Sequence, residues 1–338
     1  MSQPLDGDLA SWDAFVARAE GASFCHLAGW RDILSDVLGV ECLYRLVTNR
    51  NGELQGLLPL VRVRSWLFGH YLVSLPFLND GGPLGSPEAR RQLVEDAVAE
   101  ARRSRVDLLE LRTRDGGDLA LPVSSRKITV LRPLPSTSEE LLASFPSKLR
   151  SQIRRPMKDG LTVRFGPDQR EPFYEVFART MRDLGTPVLP RALFDRLAVA
   201  FPDLVVFGVV YRGDQPLAGG CGFAWREEFE MTWAGALRES RVLGANMLLY
   251  WAFMEHMIAR GLRVFNFGRC TPGGGTHAFK RQWGGADVPL PWHQYASGGV
   301  TATPSPDDPT LSWGPRLWRR LPLPIANRLG PRLVRFLP

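Results

Sequence analysis

The side chains best suited to chemistry lie close together near residue 280. Lys280 stands between Phe279 and Trp283, a few positions after the glycine run 273–275. An ammonium in such a setting can bind a phosphate or stabilise an oxyanion that develops during a reaction. Trp283 can stack on an unpaired base, as aromatic side chains do with single-stranded nucleic acid. The alternatives are a surface lysine and a core tryptophan.

Four polar residues add candidate roles. Arg269 follows an apolar stretch and could bind a phosphate group of a donor or acceptor substrate. Asn266 lies between two phenylalanines, so strand alternation points it away from both, into a cleft or toward a neighbouring backbone group. His277 and Asp80 are candidate proton acceptors, because an imidazole titrates near neutral pH and a carboxylate can act as a base. A solvated arginine and a loop histidine are the alternatives.

A basic segment, 147–158, separates the two halves of the chain. It contains no acidic residue and five basic ones, which are Lys148, Arg150, Arg154, Arg155 and Lys158. Such a stretch is typical of a polyanion contact, with tRNA phosphates or the diphosphate of a lipid-linked sugar as candidates. A helix with a solvated basic face is the alternative.

The C-terminal tail, 301–338, is basic and rich in tryptophan and proline. From Pro309 onward it has no acidic residue and six arginines: Arg316, Arg319, Arg320, Arg328, Arg332 and Arg335. This composition predicts a peripheral contact with an anionic membrane surface. The prolines argue against one continuous amphipathic helix, so packing of the tail on the protein body is the alternative.

Composition excludes several classes of protein. The chain has 338 residues, of which 44% are hydrophobic and 23% charged, so it can form a packed core. No apolar run approaches the roughly 20 residues that a membrane helix needs. The N-terminus lacks the basic and apolar blocks of a signal peptide, which predicts a cytoplasmic protein. The net charge is +7, supplied almost wholly by arginine, which suits phosphate and carboxylate recognition.

Motifs for metal, nucleotide and covalent chemistry are missing. The four cysteines are isolated and no HExxH occurs, so we expect neither a zinc site nor disulfides. The segment 273–278 fits GxGxxA, but it lacks the long helix and the later acidic residue of a dinucleotide site. No GxSxG elbow and no Walker loop is present. We therefore expect no metal and no tightly bound cofactor.

The elements that must position these residues occur twice. Turns at Gly52 and Gly213, which lie 161 positions apart, each join two apolar runs and predict antiparallel hairpins. Each hairpin is followed by a segment with helical spacing and then by a strand. The predicted strands are 43–48, 57–63 and 106–111, and then 204–211, 217–225, 229–234 and 262–267; the helices follow Ser86 and Asn246 as N-caps, with further helices at 171–184 and 191–200. We predict two related halves with a β-β-(β)-α-β order.

The second predicted helix carries a candidate anion site at its start. Arg241, Gly244 and Asn246 lie where a strand, a short loop and a helix N-terminus would offer free backbone N–H groups. The segment resembles the acyl-CoA loop of GNAT acyltransferases, with Asn246 in place of the last small residue. Tyr250, one turn further along, joins these three and Arg269, Phe279 and Trp283 in the predicted substrate-binding set.

The order of motifs resembles FemAB-type proteins of the GNAT superfamily. The element Phe279-Lys280-x-x-Trp283-Gly284 and the blocks 75–83 and 147–155 carry this resemblance. They are most similar to the FemAB-related branch that accompanies exosortase and exopolysaccharide systems. The resemblance implies an α/β (α+β) fold with tandem GNAT-like domains, each a mixed, mostly antiparallel sheet flanked by helices. We expect domains at 1–135 and 166–300, a basic connector at 136–165 and the tail at 301–338.

The same resemblance implies transfer of an acyl group to an amine. Aminoacyl-tRNA would be the co-substrate, and the acceptor a lipid-linked or peptide amine in peptidoglycan-type or exopolysaccharide metabolism; no DNA contact is expected. Neither a protein nucleophile nor a metal is needed for amine attack on an ester, so Lys280, Asn266, His277 and Asp80 are the catalytic candidates. The alternatives are an acyl-CoA or carrier-protein-dependent N-acyltransferase, and a non-catalytic scaffold that binds polyanions or membranes.

Overall fold

The computed structural model describes residues 2–5, 9–65, 69–114, 117–296 and 313–337. The helices are α1 (Leu9–Arg18), α2 (Gly29–Leu38), α3 (Pro87–Arg103), α4 (Ser138–Ala143), α5 (Ser147–Lys158), α6 (Arg170–Leu184), α7 (Arg191–Ala200), α8 (Ala245–Ala259), α9 (Gly275–Arg281), α10 (Trp313–Trp318) and α11 (Leu323–Val334). The strands are β1 (Gln3–Pro4), β2 (Glu41–Thr48), β3 (Leu54–Ser65), β4 (Gly69–Val73), β5 (Leu84–Gly85), β6 (Leu108–Arg112), β7 (Val123–Pro133), β8 (Leu161–Phe165), β9 (Val205–Arg212), β10 (Gln215–Trp225), β11 (Glu228–Ala236), β12 (Val264–Cys270) and β13 (Ala286–Ala296). Short 3-10 helices lie at Phe24–His26, Pro167–Gln169 and Arg238–Ser240.

The chain divides into two compact units. The first unit comprises residues 1–127, 289–309 and 332–338, and the second comprises residues 128–288 and 310–331. Each unit contains a mixed, mostly antiparallel sheet with helices, so the predicted fold class is confirmed. The segment 136–165, which we expected to connect two domains, contains α4, α5 and β8 and belongs to the second unit.

The first unit is built around the strand order β1-β2-β3-β4-β6-β13, with β5 beside β3. Neighbouring strands are antiparallel except β4 and β6, which are parallel and are linked through α3. The predicted turn of the first hairpin forms, and the Asn49 carboxamide oxygen accepts hydrogen bonds from the N–H groups of Asn51 (2.9 Å) and Glu53 (3.0 Å). Ser86 caps α3 as predicted, since its hydroxyl accepts from the Ala89 N–H at 3.2 Å.

The second unit repeats this plan with the order β7-β12-β11-β10-β9-β8. Its parallel pair is β11 and β12, linked through α8. Along β10, Gly219 faces Phe173 of α6 and the next residue, Gly220, faces Phe253 of α8. Because successive residues of a strand point to opposite faces, α6 and α8 cover opposite sides of this sheet. Helix α8 is apolar nearly all round, as expected of a buried helix.

The predicted duplication is present, with two differences in detail. The first half also has a third strand, β4, which the sequence pattern did not indicate. The predicted cap at Asn246 is wrong: α8 begins at Ala245 and its N-cap is Gly244 in the left-handed conformation (φ 71°). Asn246 therefore lies inside the first helical turn and does not cap the helix. The predicted helices at 171–184 and 191–200 are confirmed as α6 and α7.

The described part of the tail forms two short helices, α10 and α11, separated near Pro322. Ala326 and Val334 are buried, at 1% and 5% exposure, so one side of α11 packs on the protein. Residues 301–312 of the predicted tail lie outside the described residues. No helix that the structure describes combines the length and the apolar character that crossing a bilayer requires.

Candidate functional site

Lys280 is a buried residue of the second unit. Strand β12 ends at Cys270, and the chain turns back through α9, which brings the ammonium of Lys280 to the end of the strand. Its Nζ donates hydrogen bonds to the carbonyl oxygens of Gly268 (2.7 Å) and Arg269 (2.9 Å). The residue is only 4% exposed, which contradicts the alternative of an ordinary surface lysine.

Burial changes the acidity of this ammonium. It lowers the pKa of Lys280 to about 8, an effect that the nearby Cys270 and Glu230 oppose and Arg269 reinforces. At pH 7 roughly nine-tenths of the molecules therefore carry the charge. An ammonium has three N–H groups, and two of them donate to the carbonyls. The third has no partner among the described residues.

Asn266 ties three strands together beside Lys280. Its side-chain oxygen accepts from the Thr129 hydroxyl of β7 and from the Gly268 N–H (2.8 Å). Its Nδ2 donates to Glu228 Oε1 (2.8 Å) and Glu230 Oε2 (3.1 Å), both of β11. With 1% exposure and each of its polar atoms bonded, Asn266 holds the strand ends in place. Its role is therefore to position neighbouring groups, of which Gly268 is the partner of Lys280.

The two carboxylates of this network escaped prediction. Glu230 is 3% exposed and lies between the apolar residues Phe229 and Met231 of β11. Acidic residues at 228 and 230 share one face of β11, since alternate positions of a strand point the same way. That spacing in an apolar context was the available signal, but no local pattern indicates which neighbouring strand supplies their partner.

His277 has both ring nitrogens engaged. Its Nδ1 accepts a hydrogen bond from the Gly273 N–H (3.0 Å), and its Nε2 lies 3.0 Å from Asp287 Oδ1. The Nδ1 contact requires an unprotonated nitrogen there, so the proton of a neutral ring is on Nε2 and is donated to Asp287. In this arrangement His277 holds the glycine turn, and neither nitrogen is open to accept a proton from a substrate. Asp287 was missed because it lies beyond the motif at 279–284.

Asp80 belongs to the first unit and is 4% exposed. Its Oδ1 accepts from the Gly81 N–H at 2.8 Å. The loop that carries it contains two residues with left-handed backbone, Leu75 (φ 62°) and Phe77 (φ 71°). Strain of this kind persists only where surrounding contacts impose it, and it is concentrated at functional sites.

A buried ion pair imposes this loop conformation. Arg112 is 2% exposed and pairs with Glu110 at 2.9 Å. Its Nη1 also donates to the carbonyl oxygens of Leu75 (3.2 Å) and Leu78 (3.0 Å). The guanidinium lies 4.4 Å from the ring centroid of Trp292. Arg112 therefore fixes the segment that leads to Asp80.

The aromatic candidates form one cluster in the second unit. Trp283 is completely buried, and its ring lies 5.7 Å from Phe145 and 6.4 Å from Phe267. It has no exposed face on which a base could stack, so the predicted stacking role is wrong and Trp283 is a core residue. Tyr250 is 7% exposed, and burial raises the pKa of its hydroxyl. Phe279, half-buried, packs against Tyr250 with 4.9 Å between ring centroids.

The start of α8 lies against helix α5. A Cβ on Gly244 would lie 3.0 Å from Cγ of Pro156, which belongs to α5. The N–H groups of Leu243, Gly244 and Met247 donate within the turn and the first helical residues, at 3.0 to 3.2 Å, whereas those of Ala245 and Asn246 have no backbone acceptor among the described residues. A diphosphate at a helix N-terminus needs such N–H groups unpaired. Arg241 is exposed and Asn246 is partly exposed beside this closed turn.

Helix α5 presents a basic face beside this turn. Its buried side consists of Leu149, Ile153 and Pro156. Four basic side chains on it are exposed and one, Arg150, is partly buried; the exposed ones are Lys148, Arg154, Arg155 and Lys158. Arg155 pairs with exposed Asp159 at 3.6 Å, a contact that contributes little in water. The predicted polyanion-binding residues thus share one helix and mostly face solvent.

In the part of the chain that the structure describes, no three His, Cys, Asp or Glu side chains lie close enough together to hold a metal ion. The four cysteines, Cys25, Cys42, Cys221 and Cys270, are thiols outside any disulfide. Burial raises the pKa of Cys42 to about 12 and that of Cys221 well above its usual range, so neither is an activated nucleophile.

Known proteins share this fold at low sequence identity. The structure of FemX is 16% identical, covers 87% of this chain and 97% of its own, and has a TM-score of 0.66. The C-terminal domain of a putative lysylphosphatidylglycerol synthetase from Agrobacterium fabrum is 14% identical over 86% of this chain and 92% of its own, with a TM-score of 0.58. A tandem GNAT protein from the clavulanic acid biosynthesis pathway is 13% identical over 89% and 99%, with a TM-score of 0.55.

At the level of sequence, no curated protein matches the chain. Residues 144–281 match the family model described as an acetyltransferase (GNAT) domain. This range runs from just before α5 to the end of α9 and includes Asn266 and Lys280. The chain therefore has the fold of tandem GNAT proteins, and the segment that matches the GNAT acetyltransferase model lies within its second unit.

Proposed function

We propose that this protein is a FemAB-like acyltransferase that forms an amide between an aminoacyl group, delivered by aminoacyl-tRNA, and an amine acceptor. The GNAT domain match and the shared fold with FemX support acyl transfer. The observation that carries the choice of donor is α5, which lies against the start of α8 and exposes basic side chains beside it.

The two candidate donors make different demands on this region. Acyl-CoA bound in the usual GNAT manner would bring its diphosphate to the N-terminus of α8. Pro156 of α5 lies against this turn, and the N–H groups of Leu243, Gly244 and Met247 are already bonded. The acceptor arm of a tRNA needs instead an exposed row of cations, because neutralising phosphates supplies most of its binding free energy. Helix α5 offers four such cations.

The proposed chemistry needs no covalent intermediate on the protein. A neutral amine attacks the ester carbonyl of the aminoacyl group, and the carbonyl oxygen becomes an oxyanion. The third N–H of Lys280 donates to this oxyanion from a buried position, where a hydrogen bond of this kind is strong. The attack forms the C–N bond, and collapse of the tetrahedral species restores the C=O bond and breaks the ester C–O bond. The ribose oxygen leaves and takes up the proton that the amine releases.

The acceptor is proposed to be a lipid-linked or peptide amine of the cell envelope. Two observations support this choice. One protein with this fold is named as a putative lysylphosphatidylglycerol synthetase. The blocks 75–83 and 147–155 resemble the exosortase-associated FemAB branch, which supports peptidoglycan-type or exopolysaccharide metabolism.

A second candidate function is N-acyl transfer from acyl-CoA. The family match supports it, since the matching range includes α8 and the turn before it. This alternative requires the turn at Gly244 to open away from Pro156 when the donor binds.

Transfer assays separate these functions. We would incubate the full-length protein with amine acceptors and either a pool of tRNA charged with radiolabelled amino acids or labelled acetyl-CoA, and measure the label in base-stable amide. We expect transfer from charged tRNA only. Transfer from acetyl-CoA alone would overturn the choice of donor. No consumption of either donor, across peptide and lipid amines, would instead favour the non-catalytic scaffold.

Charge reversal tests the role of α5. The double variant Arg154→Glu/Lys158→Glu should weaken tRNA binding at least tenfold and reduce its salt dependence, since two phosphate contacts are lost. Arg50→Glu/Arg212→Glu is the matched control, because these exposed arginines lie in the hairpin turns. Equal weakening by both pairs would mean that only the net charge matters and would contradict a site on α5.

A further inference from the structure

Helix α11 leaves a row of large apolar side chains in water. Ile325, Leu329 and Leu333 are 46%, 38% and 40% exposed. They follow one another at four-residue spacing, so they lie on one side of the helix. The docked side consists instead of Ala326, Gly330 and Val334, and all three are buried.

Arginines flank this row on the side away from the protein body. Arg328 and Arg332 each stand three positions after a member of the row, which places them about 60° around the helix from it. Both are exposed, as is Arg335 one turn later. No acidic residue occurs between Pro309 and Pro338, so no carboxylate side chain of that stretch neutralises them.

The neighbouring helix α10 shows the same combination. Leu317 is 58% exposed and lies among exposed Arg316 and Arg320. Contacts with α6 fix the tail: Arg319 donates to the Leu184 carbonyl oxygen (3.2 Å), and Arg182 donates to the Leu321 carbonyl oxygen (3.2 Å). The apolar row is therefore presented by a docked element.

We propose that the outer side of α11 binds the surface of an anionic lipid bilayer. Ile325, Leu329 and Leu333 enter the boundary between headgroups and acyl chains, and Arg328 and Arg332 pair with lipid phosphates. A protein partner fits less well, because three side chains that are each less than half exposed offer far less than the roughly 800 Å² per partner of a stable interface. The unbalanced positive charge matches a lipid surface.

Vesicle binding tests this proposal independently of the acyl transfer. Co-sedimentation would use the full-length protein with vesicles of phosphatidylglycerol and phosphatidylcholine, and with vesicles of phosphatidylcholine alone. We expect the mixed vesicles to bind at least tenfold more tightly. The variant Leu329→Glu should lower that affinity at least tenfold, and Arg328→Glu/Arg332→Glu should lower it by more than about fivefold for each arginine removed.

The control variant is Val199→Glu. Val199 lies on α7 and is 76% exposed, so the substitution adds the same charge far along the sequence from α11. It should leave vesicle binding unchanged. Thermal unfolding of each variant, with Leu329→Gln as a milder substitution, shows whether the fold is intact.

Several outcomes would overturn the proposal. They are failure of the native protein to bind anionic vesicles, equal loss of binding in Val199→Glu, and unchanged binding in a folded Leu329→Glu variant. A dimer that Leu329→Glu converts to monomer, without vesicle binding by either, would identify a second copy of the chain as the occupant and overturn the lipid assignment.

Discussion

The ammonium of Lys280 sets a pH limit on the proposed reaction. Its pKa of about 8 means that it is mostly protonated at pH 7 and loses its proton as the pH rises through 8. Because only the protonated form supplies the third N–H, we expect kcat/KM for transfer to fall above pH 8. Lys280→Met should lower kcat by about 100- to 1000-fold, the usual effect of removing one oxyanion donor.

The pH profile distinguishes catalysis from a purely structural role. Lys280→Arg keeps the charge at all accessible pH values, so any residual activity of this variant should lack the fall above pH 8. Rates measured between pH 6 and 9.5 for the three proteins provide the comparison. The same alkaline fall in Lys280→Met would show that another group titrates and would contradict this assignment.

Even a minimal change of the Asn266 carboxamide is expected to destabilise the protein. Asn266→Asp replaces the donor toward Glu228 and Glu230 with a third carboxylate, at a position only 1% exposed. We expect a loss of unfolding free energy of about 3 kcal/mol at pH 7, as for other unpaired buried charges. The loss should shrink at pH 5, because the introduced carboxyl group can donate a hydrogen bond again once it is protonated.

Urea denaturation at the two pH values measures this effect. Asn246→Asp is the control, because Asn246 is partly exposed in the first turn of α8, where a negative charge is tolerated. Similar losses in the two variants, or a loss at 266 that is independent of pH, would show that the network with β11 does not determine stability.

The sequence indicated some of these residues and misjudged others for identifiable reasons. Lys280 and Asn266 were found because a lone lysine among aromatics and a polar residue inside an apolar strand are local signals. Trp283 was misjudged, since the same local pattern describes a binding surface or a core, and burial decides between them. Asp287 and Glu230 were missed because their partners come from segments whose pairing is set by the tertiary fold.

Elements with strong periodicity were the easiest to predict. The helices α3, α6, α7 and α8 and the hairpins at Gly52 and Gly213 follow from apolar spacing and turn residues. Strand β4 was missed because Gly69–Val73 is short and contains a polar histidine. The closure of α5 on the start of α8 could not be read from sequence, since periodicity identifies a buried side of a helix and not what covers it.

The packing of α5 against the start of α8 can be tested with the two glycines that flank α8. Gly244 and Gly261 flank α8 with φ values of 71° and 80°, so alanine costs roughly 1–2 kcal/mol of left-handed strain at either position. At Gly244 the added Cβ also meets Pro156 at 3.0 Å, whereas nothing lies within 4 Å at Gly261. Gly244→Ala should therefore cost about 1 kcal/mol more than Gly261→Ala, because crowding adds to the strain.

Denaturation gives the energetic difference, and tRNA affinity gives its consequence. If α5 is displaced in Gly244→Ala, tRNA binding should weaken in that variant and remain normal in Gly261→Ala. Equal free energies of unfolding for the two variants would mean that Pro156 moves away from the added Cβ without loss of stability, and that α5 is not held against this turn.

For the whole molecule, the order of elements along the chain differs from their grouping in space. The first unit takes residues from both sides of 128–288, the larger segment of the second unit. Its strand β13 returns late in the sequence and pairs with β6, matching Trp292 with Arg112 and Ala296 with Leu108. Hydrophobic patterns show that 286–296 can form a strand, but they do not show which sheet it joins.

This connectivity predicts that residues 1–127 do not fold alone. Without β13 the buried strand β6 would become an open edge, a recognised cause of aggregation. Glu110, completely buried, would also lose the hydrogen bond from Gln294 Nε2 at 2.9 Å. We expect the fragment to be recovered mainly as aggregate, and a version extended by a Gly/Ser linker and residues 286–296 to give more monomer in size-exclusion chromatography. A scrambled 286–296 sequence is the control for length and composition. A monomeric, cooperatively unfolding fragment 1–127 would show that the late strand is dispensable for the first unit.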